Sequence, residues 1–214
     1  TFTYLLACEK TKQAVLIDTV ESEVPIYLKE LEAQGLKLVY TLETHVHADH
    51  VTGADTLRQK LGSKSVVHRD AGAMCGDLLV TDGVHIIVGT IDLEVRYTPG
   101  HTNGCMTFVL DDESMAFTGD CLLIRGCGRT DFQQGSARTL YRSVHSQIFT
   151  LPAACLLYPG HDYRGLTVTS VDEERRLNPR LGSGIAEADF AGYMQNLGLP
   201  HPKQLEVAVP ANLK

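Results

Sequence analysis

Within six consecutive residues, His45-Val46-His47-Ala48-Asp49-His50, the chain places four side chains of metal-ligating type directly after an apolar run that reads as a strand. Side chains alternate along an extended segment, so 45 and 47 face one side, and Asp49 and His50 at the following turn can point back to the same place. Burying such a cluster without partners strips hydration from a carboxylate and several imidazoles. A bound cation removes that cost, so the fold has to bring a sheet edge and a metal-type site together. Other ligand-type residues stand at similar junctions: His101 in Thr98-Pro99-Gly100-His101, Asp120 in Thr118-Gly119-Asp120, and His161 in Tyr158-Pro159-Gly160-His161. Each time an apolar run ends, a glycine permits a tight turn, and a donor follows. His68, His85, His145 and His201 lack this setting and read as ordinary imidazoles satisfied in the core or at the surface.

Short runs rich in β-branched residues predict strands over 2–7, 14–17, 38–42, 65–67, 93–97, 106–110, 115–118 and 154–158. Helical spacing appears over about 24–34 and 53–61, each stopped by a glycine (Gly35, Gly62), and over 187–197. Leu140, Tyr141, Val144, Ile148 and Leu151 fall on one face of a further helix begun near Ser136. Paired strands followed by alternating strands and helices predict mixed sheets covered by helices rather than one parallel doubly wound sheet.

With 214 residues, 43% of them apolar, the chain can bury a core without disulfides and is short for two full domains. The expected organisation is a catalytic domain over 1–180 with a short C-terminal extension, 181–214, packed on it. A net charge of −7 without a Lys/Arg block argues against nucleic acid and anionic membrane as partners and for a small-molecule substrate. No apolar run is long enough to cross a bilayer. The six cysteines form no C-x-x-C pair and read as reduced thiols, with Cys127, set between glycines, held open as a substrate contact. The opening residues read as a strand without a signal-peptide pattern, which points to a bacterial cytoplasm, or to the mitochondrial matrix in a eukaryote. The start at Thr1, without Met, leaves a removed upstream segment open. A homodimer is also left open.

The string from Thr44 to His50, followed by His101, Asp120 and His161, resembles the metallo-β-lactamase superfamily over nearly the whole chain. The resemblance implies a metallo-β-lactamase-like four-layer αβ/βα sandwich with two mixed β-sheets and the metal at one edge. Seven donors suit two metals: His45, His47 and His101 on one, Asp49, His50 and His161 on the other, and Asp120 between them. That is the arrangement of a glyoxalase II-type dinuclear zinc hydrolase of glutathione thioesters, in which metal-bound hydroxide is the nucleophile.

The segment Ile124-Arg125-Gly126-Cys127-Gly128-Arg129-Thr130-Asp131-Phe132-Gln133-Gln134-Gly135 resembles the signature loop of the persulfide dioxygenases. So do Gly160-His161-Asp162-Tyr163 and the run from Glu173 to Arg180. This resemblance implies one Fe(II) per chain, held by His45, His101 and Asp120, and oxidation of glutathione persulfide with O2 to sulfite and glutathione. Two imidazoles and a carboxylate leave about three of six iron positions open for a sulfur anion and dioxygen. His47, Asp49, His50 and His161 would then orient ligands, bind water or line a vacant second metal position. Arg129, Tyr163 and Arg180 match the family's substrate-anchoring positions, where a guanidinium can hold a carboxylate through paired hydrogen bonds. The hydrolase is the alternative reading, and a metal-based sensor without turnover ranks below both.

Overall fold

In the computed structural model, which describes every residue except Lys203, Tyr4–Ala7 (β1) pairs antiparallel with Gln13–Ile17 (β2). Side chains of β2 alternate between two cores. Ala14 and Leu16 pack outward with Val24, Leu31 and Leu57, whereas Val15 and Ile17 face a second sheet. The helices that cover the outer face are Val24–Ala33 (α1) and Ala54–Leu61 (α2), which ends at Gly62. Between them runs Lys37–Leu42 (β3), parallel to β2, and then Lys64–His68 (β4) and Leu78–Val80 (β5) continue the sheet in parallel.

The second sheet begins with His85–Val88 (β6), Ile91–Tyr97 (β7), Met106–Leu110 (β8) and Met115–Gly119 (β9), an antiparallel meander. Ala137–Ser143 (α3) follows, prolonged by a wider π turn over Val144–Ile148 that keeps Leu140, Val144 and Ile148 in one core. Leu156–Pro159 (β10) then joins β9 in parallel, and Thr169–Ser170 (β11) closes the sheet. Among the described residues three helices follow: Val171–Leu177 (α4), Glu187–Gln195 (α5) and Leu205–Leu213 (α6).

The order is therefore helices, sheet β1-β2-β3-β4-β5, sheet β11-β10-β9-β8-β7-β6, helices: a four-layer sandwich of two mixed sheets, as expected. Val66, Leu93, Val95, Met106 and Phe108 fill the space between the sheets, each removed from water and contributing roughly 1.5–3 kcal/mol. Phe190 and Met194 of α5 join Leu140 and Val144 on the far side, while Val209 and Leu213 of α6 pack on Val46 and Val67. Among the described residues no helix is long and apolar enough to cross a membrane.

Candidate metal centre

The parallel strands β2, β3 and β4 finish at the same edge of their sheet, and the chain continues from the first two into Asp18 and into the loop that carries Glu43 to His50. Opposite them, β7 leads into His101, β9 into Asp120 and β10 into His161. Strand ends in α/β sheets leave backbone turns free to present side chains, and here five segments converge on one corner. Two glycines make the convergence sterically feasible. Gly119 has φ +52, and a Cβ there would lie 2.4 Å from Thr44 Oγ1; a Cβ on Gly160 would lie 2.7 Å from Asp120 Oδ1.

One donor atom from each of His45, His101 and Asp120 lies within 4.8 Å of the others. His101 Nδ1 sits 2.6 Å from the carbonyl oxygen of Arg129, which can only accept, so Nδ1 carries the proton and the Nε2 lone pair is free. That Nε2 is 3.7 Å from Asp120 Oδ2, too long for a hydrogen bond. It is a spacing that two ligands reach when each binds one ion at about 2.0–2.2 Å. His45 Nδ1 is 3.0 Å from Thr44 Oγ1, which leaves its other nitrogen for the centre. The donors thus fit a metal: the atoms that face one another lack protein partners, while the atoms behind them are held.

The other four donors are differently placed. His161 Nδ1 lies 2.7 Å from Asp120 Oδ1 and its Nε2 lies 3.0 Å from Asp49 Oδ2, so both nitrogens face carboxylates and both donate. His50 Nδ1 approaches Asp49 at 3.1 Å, and His47 Nε2 stands between Asp18 at 3.2 Å and Glu43 at 3.3 Å. His47 Nδ1 and His50 Nε2 are buried without a partner.

Charge follows the same division. Burial, reinforced by His47 and His101 nearby, holds His45 well below the usual imidazole value. Burial opposes protonation of His161 too, yet the Asp120 carboxylate and its hydrogen bond raise that ring to about 9. Burial likewise disfavours the Asp120 carboxylate, but His161, His45 and His101 hold it well below the usual range, so it remains an anion. His47 is raised despite burial by Asp18 and Glu43.

Asp18 and Glu43 were not among the expected residues. Asp18 accepts from Thr44 N and Thr44 Oγ1, each at 2.7 Å, and so fixes the residue that in turn fixes His45. Its signal was present: an acidic residue immediately after the uniformly buried Ala14–Ile17 run demands a partner.

The metallo-β-lactamase superfamily profile matches residues 1–161. The human mitochondrial persulfide dioxygenase ETHE1 is 56% identical over 215 residues, covering 100% of this chain and 84% of that protein. The crystal structure of ETHE1 from Myxococcus xanthus superposes with a TM-score of 0.96 at 46% identity, covering 99% of this chain and 92% of that one. The chain belongs to the persulfide dioxygenase family of the metallo-β-lactamase superfamily. A probable hydroxyacylglutathione hydrolase of Schizosaccharomyces pombe, at 32% identity, covers 76% of this chain, and the chain covers 64% of it.

The persulfide dioxygenase loop after Asp120 is clamped from behind. Gly128 N donates to Asp120 O at 2.7 Å. The fully buried Glu174 of α4 accepts from Arg125 N at 2.9 Å, pairs with the Arg125 guanidinium, and accepts from Asn178 Nδ2, which also donates to Gly126 O. The Glu173–Arg180 run thus acts mechanically on the Asp120 side of the centre. Arg129 does not present a free guanidinium: it pairs with Asp131 through Nε and Nη2, both at 2.7 Å, donates to Pro200 O at 2.7 Å, and lies over the Phe132 ring. Arg180 lies over Tyr193. Tyr163 is exposed and stacks on His161 with centroids 6.1 Å apart. The Cys127 thiol points into the α3/α5 core, 3.9 Å from Met194 Sδ, and burial raises it to about 11.

Proposed function

We propose that this chain oxidises glutathione persulfide with dioxygen and water to sulfite and glutathione, using one ferrous ion per chain held by His45, His101 and Asp120. The net change takes one persulfide, one O2 and one water to glutathione, sulfite and two protons. The observation that carries the reading is a triad of donors, whose atoms facing the centre lack protein partners, in a chain 56% identical, along its full length, to a persulfide dioxygenase. Iron held there supplies a route for electrons from the persulfide sulfur to dioxygen, with about three positions open for the two reactants. The protein's part is to fix the ligands. Arg129 O holds the proton on His101 Nδ1, Thr44 orients His45, and His161 Nδ1–H holds Asp120. Asp49 lies at the solvent edge and accepts from His161 Nε2, which fixes the ring that in turn holds Asp120. Tyr163, Arg129 and Arg180 are the proposed anchors for the tripeptide's carboxylates, Arg129 after exchange of Asp131 for substrate.

A dinuclear thioester hydrolase is the second reading, favoured by the unpartnered His47 Nδ1 and His50 Nε2 and by the similarity to the yeast protein. Elemental analysis with two assays separates them. About one iron per chain with persulfide-dependent oxygen uptake upholds the dioxygenase; two zinc ions with thioester cleavage replaces it. Residues 181–214 are proposed as an extension of the catalytic domain, in a monomer or homodimer. The six free cysteines suit a reducing compartment, the bacterial cytoplasm or the mitochondrial matrix.

A further inference from the structure

The loop that bears His45 is supported in an unusual way. From His45 to His50, among the described residues, no backbone group bonds another backbone group. Its carbonyls are held instead by two side chains from elsewhere in the chain. Gln133 Nε2 donates to Val46 O at 2.8 Å. Asn212 of α6 does more: its Nδ2 donates to His47 O at 3.0 Å and to His50 O at 2.9 Å, and its Oδ1 accepts from Thr52 N at 2.9 Å. Both donors and one acceptor position of a single buried amide are therefore directed at one turn of the ligand loop. α6 is itself pinned, since Met74 N donates to Leu213 O at 3.0 Å and Val209 and Leu213 pack on Val46 and Val67.

We propose that Asn212 is a positioning residue for the metal centre: by tying His47 O, His50 O and Thr52 N together it sets the course of the loop that aims His45. The inference rests on the reading of His45 as a metal ligand. A cavity of about 470 Å³ adjoins the amide, lined by His47, Thr52, Cys75 and Asn212 among others. Carbonyls released by a substitution can meet water there, so the loss falls on loop geometry more than on folding.

The test uses N212D, which keeps the shape and the acceptor but removes both donors and sets an anion against two carbonyl oxygens. The variant is expected to fold, to bind Fe(II) roughly 10–100-fold more weakly, as loss of a supporting partner usually does, and, at full iron loading, to give an altered EPR spectrum of the ferrous nitrosyl adduct. kcat falls and KM for glutathione persulfide stays. Unchanged iron affinity and an unchanged nitrosyl spectrum overturn the proposal. H45A measured alongside keeps the two claims apart: iron retained in H45A sinks the ligand reading, whereas iron lost in H45A but held normally by N212D sinks only the role of Asn212. If N212D does not fold, hydrogen exchange at the Thr52 amide of the native protein decides. Slow exchange, slowed further by iron loading, upholds the proposal, and exchange that is fast or indifferent to iron overturns it.

Discussion

Two groups of potential ligands share this corner of the sandwich, and their hydrogen bonds differ. In the first, His45, His101 and Asp120, the atoms that face one another have no protein partner across the centre, and each imidazole is fixed from behind by Thr44 Oγ1 or Arg129 O. In the second, Asp49 and His161 are engaged with each other, and His47 is held between Asp18 and Glu43. Identity and sequence spacing do not separate the groups, since both are histidines and aspartates at strand ends. What separates them is which atoms already have partners: His161 has both nitrogens committed and must break a hydrogen bond before it can offer one to an ion, whereas in the second group only His47 Nδ1 and His50 Nε2 are left unpartnered.

The strongest way to break that division is to delete its centre. D120A is expected to lose iron and oxygen uptake together, with an affinity loss beyond the roughly 100-fold that marks a supporting residue. Iron retained in D120A, measured by elemental analysis after dialysis, would dissolve the first group altogether.

Next in size is the clamp behind Asp120. Glu174 is fully buried against Arg125 and also accepts from Arg125 N, Thr169 Oγ1 and Asn178 Nδ2, so E174A removes the acceptor of four donors at once. Breaking a buried pair from one side costs about 3–5 kcal/mol, and the lower half of that range is expected because Arg125 keeps Glu173. Urea denaturation of the metal-loaded protein reads it. A loss under about 1 kcal/mol would show that the loop after Asp120 holds itself.

H161N comes third. If the second group supports the first, iron affinity drops by roughly 10–100-fold and some activity survives at saturating iron. Complete loss of iron would move His161 among the ligands and erase the distinction drawn above.

Much of this arrangement was legible before any coordinates. The eight predicted strands all form, because each is a short run of apolar, β-branched or aromatic residues too brief for a helix. Those missed are short: β5 has three residues with Leu78 and Leu79 exposed, β11 has two, and β6 exists because β7 lies beside it. α6 escaped because Pro210 interrupts it and its apolar residues surround the axis instead of forming a stripe. At the site, residue types at strand ends could be read one at a time, since glycine and donor are adjacent in sequence. Asp18, Glu43, Glu174 and Asn212 act through partners between 4 and 165 positions away, and no local period announces them.

The smallest effect is expected at Arg129, where the family's pattern and the observed contacts pull apart. Its guanidinium holds Asp131, Leu199 O and Pro200 O, so it anchors substrate only if a substrate carboxylate displaces Asp131. R129A is expected to keep its iron, because Arg129 touches the centre only through its backbone carbonyl on His101. The persulfide concentration needed for half-maximal rate should rise roughly 10-fold, the low end for losing one charge-assisted contact. D131N supplies the contrast. Weakening the internal pair frees the guanidinium, so an exchangeable anchor gives D131N a KM at or below that of the unaltered enzyme, while a purely structural pair gives R129A and D131N the same rise. Equal changes in the two variants would place Arg129 with the clamps that shape the corner and leave substrate recognition to Tyr163 and Arg180.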